Sequence, residues 1–112
     1  MKLENMFNLQ MELQKGITGS NFPIDDIKQF HYSMTGLMCE MGEVLQADKR
    51  WKNNGRNSYY NRQEKLEELS DCFAFLINAC IYSGFSVEEI YGKFIVKNSV
   101  NNERLKSSLE KR

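Results

Sequence analysis

Two short acidic motifs carry the clearest chemical potential in this chain, Glu40-Met41-Gly42-Glu43 and Glu68-Leu69-Ser70-Asp71. In a helix, carboxylates three residues apart share one face and lie about a turn from each other. Each pair brackets an apolar residue, Met41 or Leu69, that fits a helix seam, so the acids are expected beside the core, across a groove between two antiparallel helices. Carboxylates gathered near a low-dielectric interior repel one another and stay ionised only when cations compensate them. Magnesium suits such a set, because it is a hard octahedral ion that binds through carboxylates together with substrate phosphates. A carboxylate-bridged iron or manganese centre would instead use Glu-x-x-His pairs. The single histidine, His31, stands far up the second helix and reads as a packed or surface residue. Acid pairs at this spacing also arise on ordinary solvated helix faces, so from the pattern alone both a metal site and a charged surface remain open.

Four helical segments must position these groups. The first, roughly residues 2–15, places Met6, Leu9 and Leu13 on one face and stops near Gly16 and Gly19. The second starts near Pro23, with Asp25 and Asp26 complementing the helix dipole, and carries Ile27, Phe30, Met34, Leu37, Met41 and Val44 at alternating three- and four-residue spacing to about Trp51. A third, from about Tyr59 to Ser83, repeats the pattern with Leu66, Leu69, Phe73, Leu76 and Cys80. Gly84 then offers a left-handed cap, Ser86-Val87-Glu88-Glu89 has the form of a capping box, and Phe85 with Ile90 has the spacing of a hydrophobic staple. The fourth helix begins with Val87, Ile90 and Phe94 on its seam, but the same spacing continues onto Lys97, Asn101 and Arg104. Burying unpaired polar groups is costly, so either this helix outruns the core or these residues face a polar ligand.

Composition agrees with one all-α domain over residues 1–112, a four-helix bundle. One proline and seven glycines are too few for the turns that many short strands require. Fifteen basic and fifteen acidic residues cancel, which disfavours a nucleic-acid polymer or an anionic membrane as partner and leaves a small charged ligand open. Cys39, Cys72 and Cys80 sit in apolar periodic stretches and read as reduced core thiols. With no signal peptide or membrane-length apolar run, a cytoplasmic protein is expected. Large apolar seams on so short a chain further predict packing between subunits, as a homodimer or homotetramer.

Glu-x-x-Glu, 24 intervening residues, then Glu-x-x-Asp resembles the metal-binding pattern of the all-α nucleoside triphosphate pyrophosphohydrolases, which include MazG and the dimeric dUTPases. Lys97-x-x-x-Asn101-x-x-Arg104 is similar to that superfamily's fourth-helix motif, whose side chains hold phosphates and sugar. NLQMELQKGIT, residues 8–18, is similar to the dimeric dUTPase segment that reads a uracil edge; Gln10 matches its glutamine, whereas Gln14 stands where the family has asparagine. In ADKRWKNN, residues 47–54, the resemblance implies an aromatic base contact from Trp51 and phosphate contacts from Lys49 or Lys52. Trp51 reads equally as a residue closing the core at a helix end, and Arg56 as solvated. Dimeric dUTPases usually carry additional C-terminal helices, so at this length the chain is expected to be closer to a minimal MazG-like subunit.

The resemblance implies hydrolysis of a nucleoside triphosphate, dUTP or another pyrimidine deoxynucleotide, to the monophosphate and pyrophosphate. It further implies Mg2+ held by Glu40, Glu43, Glu68 and Asp71, with Mn2+ as a substitute and Glu40 as the base. Two alternatives are a non-catalytic helical oligomerisation module and the same chemistry on a different nucleotide.

Overall fold

A computed structural model describes residues 2–19, 24–52 and 58–111. Four α-helices account for most of these: α1, Leu3–Thr18; α2, Ile27–Ala47; α3, Arg62–Tyr82; and α4, Val87–Glu110. No strand occurs among the described residues. The protein is an all-α four-helix fold.

Local chemistry sets the helix ends. Gly19 closes α1 in the left-handed region at φ 71°, donating its N–H to the Lys15 carbonyl. Asp26 caps α2 by accepting from the Gln29 N–H at 3.1 Å, and Asn61 caps α3 by accepting from the Glu64 N–H at 3.1 Å. Ser86 and Glu89 form the reciprocal capping box at the start of α4, directly after Gly84 turns the chain at φ 77°. Four bounds differ from the sequence expectation: α1 runs through Gly16 to Thr18, α2 starts after the Asp26 cap and ends at Ala47, short of Trp51, and α3 starts after the Asn61 cap instead of at Tyr59. At α2 and α3 a side-chain cap or a bridge competes successfully for the terminal backbone groups. Pro23 and Arg56 lie outside the described residues.

The principal contact is between α2 and α3, which run antiparallel and are tied at both ends. Isolated antiparallel bridges join Asp25 to Ser83 and Asp48 to Tyr60. At the second, Lys49 donates its N–H to Tyr59 O at 2.7 Å, and Asn61 donates to Ala47 O at 3.0 Å. Side chains reinforce it: Asp48 accepts two hydrogen bonds from Arg50 and one from Lys65, all at 2.8 Å, and the Arg50 guanidinium lies 3.7 Å from the centre of the Tyr60 ring. Gly36 permits the close approach between the ties, since a Cβ there would overlap the edge of the Phe75 ring.

The core is small. Phe7 of α1 meets Ile77 and Ile81 of α3, and Met6, Met11, Cys80, Val87 and Ile90 pack around them. Only the first turn of α4 joins this cluster, and every described residue from Tyr91 onward is exposed. Several expected seam residues are also exposed, among them Leu9 and Leu13 on α1 and Leu66, Leu69, Phe73 and Leu76 on α3. The reason is that α3 is apolar on more than one side: Ile77 and Ile81 face the core, while the regular stripe beside them faces outward. Cys39 likewise lies at the surface, whereas Cys72 and Cys80 are half-buried free thiols.

Candidate metal centre and nucleotide cavity

Glu40 lies eight residues before the tied Asp48, and Glu68 eight residues after its bridge partner Tyr60, so antiparallel pairing brings the two to one level of the hairpin. Glu40, Glu68 and Asp71 each offer an oxygen within 4.8 Å of the others. Glu40 and Glu68 are half-buried in the groove, and Asp71 is exposed at its edge. Glu43 is exposed one turn farther along α2, outside this set of three but near enough for its charge to act on Glu68.

The electrostatics reflect this crowding. A hydrogen bond shared with Glu40, partial desolvation and the charges of Glu40, Asp71 and Glu43 together hold the Glu68 carboxyl above its ordinary pKa. Burial, followed by the neighbouring carboxylates Glu40, Asp71 and Glu68, raises the Cys72 thiol. Hard carboxylate oxygens this close together fit a hard divalent cation such as Mg2+ or Mn2+. The donor set contains neither thiolate nor imidazole, and His31 lies in an edge-on ring contact with Phe30, far along α2.

Asp71 also belongs to the wall of a cavity of about 620 Å3 between α1, α2 and α3. This volume falls within the range of small-molecule pockets. Its walls include Gln10, Gln14, Tyr32, Ser33, Phe75 and Asn78. Gln10 Nε2 donates to Asn78 Oδ1 at 2.8 Å, and the Tyr82 hydroxyl donates to Gln14 Oε1 at 2.7 Å. One space thus connects an acidic edge with two glutamine amides.

Trp51 and the neighbouring lysines stand elsewhere. The Trp51 ring is half exposed, its indole N–H donates to Leu45 O at 3.1 Å, and it lines a separate depression with Asp48, Arg50 and Lys65. Lys52 lies 5.4 Å from the Trp51 ring, and Lys49 contributes its backbone to the hairpin tie. On α4, Lys97, Asn101 and Arg104 are all exposed, and a single chain does not bring them to the acids. Sequence reasoning passed over Asn78 and Tyr82. Asn78 follows Asp71 by seven residues, a spacing that returns to the same helix face, and that signal was available.

The family model described as dUTPase matches residues 2–83. The chain belongs to the dUTPase family. The match covers α1, α2 and α3, including both acidic motifs and the two glutamines, and ends before α4. Membership places the protein among dUTPase-like nucleotide hydrolases. Neither the curated proteins nor the solved structures contain a match to this dUTPase-family chain. Among its described residues, no helix is long and apolar enough to cross a membrane.

Proposed function

We propose that the protein is a magnesium-dependent nucleoside triphosphate pyrophosphohydrolase that releases pyrophosphate and a nucleoside monophosphate from dUTP or another pyrimidine deoxynucleotide. One observation carries this reading: Asp71 belongs both to a cluster of three converging carboxylates and to the wall of a cavity that ends on Gln10 and Gln14. Metal chemistry and base recognition then share one continuous site.

Glu40, Glu68 and Asp71, with Glu43 one turn away, would hold the ion. When bound, Mg2+ supplies charge neutralisation at the triphosphate and makes a water molecule more acidic. Glu40, half-buried in the groove, is the residue we assign to accept the proton of the attacking water. Gln10 and Gln14 read the base edge. Lys97, Asn101 and Arg104 hold phosphates and sugar, whereas Trp51, in a separate depression of its own chain, would add stacking, with charge from Lys49 or Lys52, only across a subunit contact. Because α4 leaves its own chain's core after the first turn, we assign its polar residues to the site of a second protomer in a homodimer or homotetramer. The large exposed apolar residues of α1, α3 and α4 support such packing. A cytoplasmic enzyme that keeps the nucleotide pool clean is the corresponding cellular role.

Purified protein with Mg2+ is expected to release pyrophosphate from dUTP and to lose this activity on chelation. Asp71→Ala should lower kcat/KM beyond the roughly 10- to 100-fold loss seen when a group that only orients a metal ligand is removed. Wild-type activity in that variant would refute the metal assignment. Absence of any Mg2+ or nucleotide binding heat would favour the non-catalytic helical module. Since Gln14 stands where the resembling segment has asparagine, a panel of nucleotides is the proper assay for base choice.

A further inference from the structure

Beyond its first turn α4 has no cover: residues 91–111 are all exposed, and its packing on the core comes from Val87 and Ile90. Helices in proteins draw most of their stability from packing an apolar face, and an isolated one of this length is marginal in water. Tyr91, Ile95, Asn98, Asn102, Leu105 and Leu109 recur at alternating four- and three-residue steps, the a and d spacing of a two-helix seam about 27 Å long. Lys97, Asn101 and Arg104 each stand one residue before a seam position, about 100° round the helix, and stay clear of it. Val96 and Val100 sit on the far side, where Lys93, Glu103 and Ser107 interrupt any second stripe.

The seam reads the same from either end. About Val100 its residues pair as Asn98 with Asn102, Ile95 with Leu105 and Tyr91 with Leu109, polar with polar and apolar with apolar. A two-fold contact between identical chains requires this symmetry, because residue i of one copy meets j of the other and j meets i. Asn102 Nδ2 donates to Asn98 Oδ1 at 3.0 Å, which leaves Asn98 Nδ2 as donor and Asn102 Oδ1 as acceptor. Antiparallel pairing sets these groups opposite each other twice, whereas parallel pairing sets donor against donor and acceptor against acceptor. Charge agrees. Glu88 and Glu89 begin the helix and Lys106 and Lys111 stand at its end, so antiparallel copies place acid beside base.

The start of the seam also carries a receptor for its end. A groove of about 460 Å3 between α1 and α4 is lined by Lys2, Leu3, Glu4, Val87, Glu88 and Tyr91. Tyr91 is both the first layer of the seam and a wall of this groove. In the antiparallel arrangement the partner's Leu109 arrives at its apolar walls, and the partner's Lys111 at its two carboxylates.

We propose that α4 is the pairing element of this chain: two copies join antiparallel along residues 91–109, with the end of each α4 seated in the α1–α4 groove of the other. This helix lies beyond the family match to residues 2–83. The pairing names the contact behind the homo-oligomer proposed above and does not depend on the nucleotide chemistry.

Sedimentation equilibrium of the full chain, without metal or nucleotide, reads the pairing directly. Ile95→Asp and Leu105→Asp should each halve the mass of the assembly, because each puts unpaired carboxylates into the seam. Both positions are exposed in the single chain, and circular dichroism shows whether the helices persist. Orientation is read by disulfide trapping in a Cys39→Ser background, which removes the exposed native thiol. A mixture of Ile95→Cys with Leu105→Cys should yield the cross-linked pair, whereas Ile95→Cys alone should not. This arm decides the matter even if the aspartate variants fail to fold. A monomeric wild type, a mass unchanged in both folded aspartate variants, or cross-linking of Ile95→Cys to itself overturns the proposal. Such a failure leaves the metal and cavity assignments standing, while absence of pyrophosphate release from a paired protein sinks the hydrolase reading alone.

Discussion

Glu68 and Asp48 are two carboxylates on the same hairpin with opposite responses to acid. Glu68 is raised because Glu40 shares a hydrogen bond with it, desolvation disfavours its charge, and its neighbours are negative. Its protonated form favours the fold, so its stabilising contribution is complete below the ordinary carboxylate range and is lost as pH rises through the raised value. Asp48 is held far below its ordinary pKa, first by Arg50 and then by Lys65. Its contribution is present above pH 4 or so, the ordinary Asp range, and is lost as pH falls from there. A cation bound by Glu40, Glu68 and Asp71 removes the repulsion that appears when Glu68 ionises. The rise in melting temperature on adding Mg2+ is therefore expected to be large at pH 8 and to shrink toward zero at pH 4. Glu68→Gln should melt higher than the metal-free wild type at pH 8 and gain little from Mg2+. A Mg2+ response independent of pH between these values would contradict a site built on Glu68.

At the scale of the helices, Gly36 tests how tightly α2 and α3 must fit. Alanine gains about 1 kcal/mol over glycine in helix propensity, but overpacking a helix interface costs about 1–3 kcal/mol. Because the added methyl would overlap three atoms of the Phe75 ring, the steric cost is expected to win. Gly36→Ala should lower stability in urea by about 1 kcal/mol, and it should weaken nucleotide binding by pushing Phe75 toward the cavity it lines. Helix existence was legible because three-four spacing and the capping box at Ser86 and Glu89 are local signals. The acidic motifs were legible for the same reason: each pair sits on one helix face. Which apolar stripe of α3 faces inward was not legible, since Leu69, Phe73 and Leu76 repeat as regularly as Ile77 and Ile81 but face outward. Periodicity gives a face, and only the partner helix decides whether that face is covered. The hydrogen bonds from Gln10 to Asn78 and from Tyr82 to Gln14 were hidden too, because each joins residues 68 positions apart.

The whole molecule presents a cavity between α1, α2 and α3 with an acidic edge, and a separate helix, α4, whose Lys97, Asn101 and Arg104 do not reach it within one chain. If two copies complete each other's sites, two inactive variants should rescue one another. Asp71→Ala would remove one carboxylate of its own chain's cluster, and Arg104→Ala the phosphate contact proposed to reach the partner, so refolding an equal mixture should yield heterodimers with one intact site of two. Recovery of about a quarter of wild-type activity is expected from random pairing in a two-fold dimer. No recovery, with both variants soluble and associated, would show that each chain works alone. The ties at Asp25–Ser83 and Asp48–Tyr60 have a consequence for how this chain can change in length. The register that brings Glu40 and Glu68 to one level is counted from the Asp48–Tyr60 bridge, so a change in the number of residues between Asp48 and Tyr60 leaves it unaltered. One residue added between Glu40 and Asp48 would shift that acid by a hundred degrees or so around its helix, the turn per residue of a 3.6-residue repeat. The hairpin therefore divides its own sequence into a stretch where length is free and a stretch where it is counted.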